Sequence, residues 1–325
     1  MTTISAAVYE LRGPRQLEIR SEPVDPETLG PRDIAARTRI SVVSPGTETA
    51  AWRGDPPLRP GNVYPRLVGY CNLAEVIAVG SEVRGTSIGD LILTHQPHRS
   101  AFRCPAADIL TRAPADVPSA EAATTYLFQL GYNALLKGGC KPGTTVGVLG
   151  LGVIGLATVA LARQLGATVI AYTNQEPAAD LARRWGAKAF RKDAAGLEPR
   201  AVDLLITTSG SWSDWRLALA QTRKEGTIGV LGFPGRTDGL PTFNPLASEY
   251  FYDAQLRIIA CGQSPEPEVR RNCEFLLDLI RSRRLPAGDL LENRVPWKGL
   301  AAAYDRLSRR ETYRTVALDW SLDGP

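Results

Sequence analysis

Residues 148–162 read VLGLGVIGLATVALA: a β-branched apolar run, three closely spaced glycines and an Ala-rich helical stretch. Few other patterns restrict a fold so strongly. Gly150 permits a tight turn, Gly152 lets the backbone approach an anion, and Gly155 lets the helix pack against the strand. The spacing G-x-G-x-x-G at a strand-to-helix junction predicts a bound dinucleotide, its pyrophosphate resting on the helix N-terminus. A second strand, ATVIAYT, follows where a βαβ unit requires it. Gly150, Gly152, Val153, Ile154 and Gly155 are therefore candidate cofactor-binding residues.

The end of that second strand bears on which dinucleotide is held. NAD-dependent proteins place an Asp or Glu about 20 residues beyond the glycines, where it binds the ribose hydroxyls. Thr173, Asn174 and Gln175 stand there in this chain. An acid would repel a 2′-phosphate, whereas hydroxyl and amide groups donate to it, so NADP(H) is expected over NAD(H). Glu176 lies just beyond. Arg183 and Arg184 on the next helix read as a solvated face more readily than as phosphate ligands.

A chain of 325 residues exceeds one ordinary core, so two domains are expected. Residues 1–115 read as short strands broken by Gly and Pro, with AAVYE, QLEIR, IAARTRISVV and NLAEVIAVG among them. From SAEAATTYLFQLGYNALLKGG the period turns helical, with Ser119 as N-cap and Glu121 in the first turn. Strands and helices then alternate as far as QLRIIACG, the expected last strand of a parallel sheet. Two amphipathic helices and a strand, YRTVALDW, follow.

A net charge of +4, with no Lys/Arg block beside aromatic residues, argues against a nucleic-acid partner. No apolar run nears the roughly 18 residues of a membrane span. The first residues carry charges where a signal peptide needs its apolar stretch. Five scattered cysteines without a C-x-x-C pair indicate neither a disulfide framework nor a clustered zinc site, and fit a reducing, cytoplasmic setting.

Residues 41–54, SVVSPGTETAAWRG, pack Ser44, Pro45, Gly46, Thr47 and Glu48 just after an apolar run. Locally this reads as a polar turn, or as an active-site edge that does proton chemistry. The wider chain bears on the choice. YPRLVGYCNLAEVIAVGSEV before GDLI, then GCKPGTTVGVLGLGVIG and SGSWSDWRLALAQTRKEGTIGVLGF, resemble the medium-chain dehydrogenase/reductase family along nearly the whole length. That resemblance implies an α/β fold: a Rossmann doubly wound parallel sheet plus a β-rich GroES-like catalytic domain. The catalytic domain would occupy 1–125, the Rossmann domain 126–264, and a C-terminal return, 265–325, would complete the first. The resemblance also implies Thr208 and Gly232 beside the cofactor, and edge-to-edge homodimers.

In that family a Gly-His-Glu after P-x-x-x-G supplies catalytic zinc ligands, and the matching residues here are Gly69, Tyr70 and Cys71. The Cys-x-Thr-Asp ligand motif falls on SPGTE, with Ser44 or Pro45 at the cysteine, and the third ligand falls near Tyr126. The structural-zinc loop is missing from HQPHRSAFRCPAADIL. Zinc needs about three protein ligands, and Cys71 alone offers a thiolate. The chain thus resembles a zinc-independent branch, like the dehydrogenases of bacteriochlorophyllide and of sugar or aminocyclitol biosynthesis.

Without the metal, hydride transfer still needs a proton partner and a donor to the developing oxyanion. The resemblance puts Thr47 at the proton relay and Glu48 behind it. Tyr70 could donate to a carbonyl oxygen from the place of the lost ligand, Ser44 is a further candidate, and His95 and His98 end the GDLILT strand toward the cleft. The duller alternatives are that Glu48 braces Arg53, that Tyr70 packs and that the histidines are solvated. This set suits a small polar substrate, a secondary alcohol or ketone on a polar ring. Two other readings stay open: a quinone or enone reductase acting on an activated C=C, whose N-terminal loop SPGTETAAWRG also resembles, and a non-catalytic nucleotide-binding protein.

Overall fold

The computed structural model describes residues 3–56, 63–232, 234, 239–262 and 266–322. It divides into two compact units. One comprises the described residues to Asp55, those from 63 to Tyr126, and those from 266 onward; the other comprises Pro56 and the described residues from Leu127 to Gly262. The expected boundary between 264 and 265 lies outside the described residues.

The second unit is built on a six-stranded sheet in which every pairing is parallel. Its strands run, side by side, Lys188–Phe190, Thr168–Tyr172, Thr145–Leu149, Val202–Thr207, Thr222–Val230 and Arg257–Ala260. Numbered along the chain this is the order 3-2-1-4-5-6 of a doubly wound dinucleotide-binding sheet. The helix Val153–Gln164 buries Leu156, Ala157, Val159, Ala160, Leu161 and Ala162, and the small alanines let it lie close to the strands. QLRIIACG supplies the edge strand, as its apolar run suggested. The helix in DWRLALAQTRKEG stops sooner than expected, at Gln221, and the following strand already begins at Thr222. A register shift against Val202–Thr207 and Glu225 at φ 57° absorb the early start.

The first unit holds a seven-stranded sheet and a smaller three-stranded one. In the larger, strands Asp33–Val42, Cys71–Val79 and Leu91–Thr94 pair antiparallel. Thr315–Asp319, from the far end of the chain, pairs with the start of that set through Ala317↔Val42. The closing strand thus returns to the N-terminal half. Its outer neighbour, Leu291–Pro296, was not anticipated: LENRVP is charged, ends in proline and pairs on one side only.

Two local expectations are corrected. Residues 45–53 form a helix rather than a turn, with Pro45 in its first turn and Gly54 closing it in the left-handed region at φ 86°. Proline suits a helix start because it gives up an N–H that has no intrahelical acceptor there. Ser119 does not cap its helix; Pro118 occupies the cap and Ser119 is the first helical residue. That helix also ends at Ala123 and a second begins at Thr125. Thr124 and Thr125 both turn their hydroxyls onto carbonyls three residues back, which competes with a continuous helix.

Candidate active site

In the first unit, strand pairing gathers residues that are far apart in sequence. Val42 lies opposite Cys71 and Asn72 opposite Thr94. Ser44, Tyr70 and His95 leave the ends of those three strands on the same edge of the sheet. The Tyr70 hydroxyl is hydrogen-bonded to Ser44 Oγ. Its ring meets Tyr126 edge-on at 5.6 Å between centroids, and Tyr126 meets His95 at 4.3 Å. His95 Nδ1 lies 3.4 Å from the Tyr70 carbonyl. Ser44, Tyr70 and Tyr126 therefore form one cluster, where the lost ligands were matched to Ser44 or Pro45, to Tyr70 and near Tyr126. Tyr70, Thr47 and His95 keep part of their surface open, whereas Ser44 is buried.

Behind this cluster sits Glu48. The helix 45–53 brings its carboxylate back over its own first turn, where Oε1 accepts the Ser44 N–H at 2.6 Å. Oε2 accepts from His98 Nε2 at 2.8 Å and from the Tyr304 hydroxyl at 2.5 Å. Glu48 does not brace Arg53, which bonds Thr49 and Asp55 instead. His98 corrects the expectation of a cleft-facing residue: it is 0% exposed, and both ring nitrogens are bonded, Nδ1 to Ser41 Oγ at 2.8 Å. Gly69 makes room for that ring, since a Cβ there would stand 2.7 Å from His98 Cδ2, and Gly69 holds φ 91°. Tyr304, Ser41 and Trp320, whose indole donates to Ser41 Oγ at 2.9 Å, carry no sequence signal that ties them to Glu48.

Burial, and then the neighbouring Cys71 and Glu48 charges, pushes the Tyr70 phenol well up. The Cys71 thiol is driven up by burial and next by the Glu48 carboxylate, so a free thiolate is disfavoured there. Among the described residues, no group of three or more His, Cys, Asp or Glu side chains is placed to hold a metal ion.

In the second unit, Gly150 turns at φ 93° and its carbonyl accepts from Thr208 Oγ1 at 2.8 Å. A Cβ on Gly155 would fall 1.9 Å from the Gly150 carbonyl oxygen, which is the close helix–strand approach that the motif requires. Gly152 begins the helix with open space around it. Val153 is buried in the packing and Ile154 half-buried. Gly232 crosses the Thr208 backbone so closely that a Cβ would lie 2.4 Å from it. Thr173 is buried, its hydroxyl accepting the Gln175 N–H at 3.1 Å. Asn174 is exposed and its side-chain oxygen accepts the Lys192 N–H at 3.0 Å. Arg183 pairs with Glu176 and Asp180, so it does form the solvated face, and Glu176 is engaged there. Sequence reading passed over Lys192, whose ammonium meets Asp214 Oδ2 at 2.5 Å while Ser209 bonds the same oxygen. Its position two residues past the third strand was the available signal.

Residues 153–259 match the family described as zinc-binding dehydrogenase. The chain is similar to sorbitol dehydrogenase of Bacillus subtilis, 26% identical over 215 residues. That match covers 54% of this chain and 61% of the relative. The fold is shared with L-idonate 5-dehydrogenase from Escherichia coli, at TM-score 0.82 and 13% identity over 98% of this chain and 99% of that one. It is shared equally with acetophenone reductase from Geotrichum candidum, solved with NAD, at TM-score 0.82 and 19% identity over 98% of each chain. No helix among the described residues is long and apolar enough to cross a membrane.

Proposed function

We propose that this alcohol dehydrogenase relative is an NADP(H)-dependent oxidoreductase that works without catalytic zinc. It would transfer a hydride between the nicotinamide and a secondary alcohol or ketone on a polar ring, such as a sugar or aminocyclitol. One observation carries the reading: the matched ligand positions hold the Ser44–Tyr70–Tyr126 hydroxyl cluster. Neutral hydroxyls are poor zinc ligands beside thiolate and imidazole, and the Cys71 thiol is buried and protonated. These donors do not fit a catalytic zinc.

In the ketone-reducing direction a bound NADPH would supply the hydride to the carbonyl carbon, and side chains of this chain would supply the proton that the oxygen takes. Thr47, which keeps part of its surface open, and Tyr70, whose one hydroxyl proton lies on Ser44 Oγ and would have to turn from it, are assigned as donors to that oxygen, with His95 beside them. Cofactor choice is supported by the neutral Thr173 and Asn174. Polyol chemistry is supported by the sorbitol dehydrogenase likeness. A second reading, reduction of a flat enone or quinone, is favoured by the Tyr70, Tyr126 and His95 rings.

The test is NADPH oxidation against a panel of keto-sugars, cyclic polyol ketones and quinones, before and after prolonged chelation. Turnover of a polar ketone that survives chelation is expected. Activity lost to chelation and restored by zinc would sink the metal-free reading. Response to quinones alone would select the second reading, and no response at all a nucleotide-binding protein without catalysis.

A further inference from the structure

Glu48 is a buried carboxylate, 2% exposed, with no Lys or Arg bonded to it among the described residues. An ionised carboxylate removed from water is costly unless every lone pair is met by a donor. The donors that meet this one form a directed chain. Trp320 Nε1 can only donate, so Ser41 Oγ accepts from it. The Ser41 hydrogen then has His98 Nδ1 as its acceptor. That leaves the ring proton on Nε2, aimed at Glu48 Oε2. Tyr304 donates to the same oxygen, and the Ser44 N–H donates to Oε1. Ser41, Ser44, Glu48, His98 and Tyr304 are all at most 2% exposed, so water does not substitute for any link.

We propose that His98 and Tyr304 are positioning residues for Tyr70, acting through Glu48 and Ser44. The proposal rests on reading Tyr70 as a donor to the substrate oxygen. His98 and Tyr304 fix one carboxylate oxygen, so the other is aimed at the Ser44 N–H. This sets where the Ser44 hydroxyl stands, and with it the Tyr70 hydroxyl bonded to it. The fixed negative charge also helps keep Tyr70 protonated, as the direction of its shift indicates. Tyr70 then serves as a neutral donor rather than a tyrosinate base.

The chain contains two histidines, so ¹⁵N-histidine NMR of the full protein resolves each ring. The expected spectrum shows one ring, assigned to His98 by the His98→Gln variant, with its proton on Nε2. Tyrosine Cζ labelling, with Tyr70 assigned by Tyr70→Phe, reads the far end of the chain. The Tyr70 signal should move in His98→Leu and in Tyr304→Phe. It should return toward its native position in His98→Gln, whose amide restores a donor. With fructose and NADPH as probes, kcat should fall up to about 100-fold in His98→Leu while KM stays within about twofold. Should His98→Leu not fold, Tyr304→Phe, which removes only a hydroxyl, decides the matter. A proton on Nδ1 of His98, or a Tyr70 signal unmoved in folded Tyr304→Phe, would overturn the proposal. Unchanged turnover in Tyr70→Phe would instead sink the underlying reading of Tyr70, while the NMR coupling still stood.

Discussion

Thr173 follows directly on the second strand of the nucleotide-binding sheet, Thr168–Tyr172, and is buried. Its neutral hydroxyl leaves no fixed negative charge where a ribose 2′ position is read. Replacing it with aspartate puts a carboxylate there, which accepts from ribose hydroxyls and repels a 2′-phosphate. Thr173→Asp should therefore raise the Kd for NADPH and lower that for NADH, read by titrating intrinsic Trp fluorescence. An unchanged ratio would mean that Lys192, not this position, sets the choice. The position of such a residue at the end of a strand was legible because the motif fixes its place in the fold. That Ser44, Tyr70 and Tyr126 would be neighbours was likewise legible, from aligning substituted ligand positions. His98 was visible as a residue but misplaced, since no local pattern distinguishes a buried ring from a solvated one. Tyr304 was invisible: it meets Glu48 across 256 residues of chain.

At the scale of elements, the glycine loop and the helix 45–53 teach opposite lessons. The loop was read correctly because each glycine answers a separate steric demand. Those demands can be tested apart. Gly155→Ala drives a methyl to 1.9 Å from the Gly150 carbonyl, so the helix must lift from the strand. It should lower Tm and abolish NADPH binding together. Gly152→Ala meets open space at an ordinary φ of −76°, so Tm should barely change. Its methyl would still crowd an incoming pyrophosphate, so NADPH binding should weaken on its own. Equal effects of the two variants on Tm would show that the close approach is not needed. The helix 45–53 was misread as a turn because Ser, Pro, Gly and Thr are all turn formers. What decides for helix is tertiary: Glu48 folds back onto the Ser44 N–H, and Trp52 packs on Tyr304 with its indole donating to Asp305. Propensity yields to packing of that kind.

For the molecule as a whole, alternation of strand and helix disclosed the parallel sheet, and the polar edge strand Leu291–Pro296 stayed hidden because no burial marks it. The edge strand Arg257–Ala260 has no further neighbour among the described residues, and an unpaired edge invites a second copy. Light scattering at micromolar concentration should then give about 70 kDa, twice the 35.1 kDa of one chain. A value near one chain would count against edge pairing.

Stability should also fail first on the alkaline side. Burial raises the pKa of the Cys71, Cys104, Cys140 and Cys261 thiols and of the Tyr9, Tyr70, Tyr172 and Tyr304 phenols. Cys104 is pushed from 9.0 to about 12 and Tyr172 from 10.0 to about 12. Below about pH 7.5 these groups are protonated in both folded and unfolded chains, so they give stability no pH dependence. Above it, the unfolded chain releases protons that the folded chain retains. The unfolded state then binds fewer protons, and stability falls by about 1.4 kcal/mol per pH unit for each such group. Tm should hold steady from about pH 6.5 to 7.5, begin to fall above about pH 8 and drop most steeply between about 9 and 10, where thiols dominate. Cys104→Ala removes one group from that set and should make the drop shallower by one group's slope, beyond any constant loss from its missing sulfur. A Tm at pH 10 equal to that at pH 8 would show that these thiols ionise as easily folded as unfolded. Their burial would then have to be relieved by local opening rather than by global unfolding.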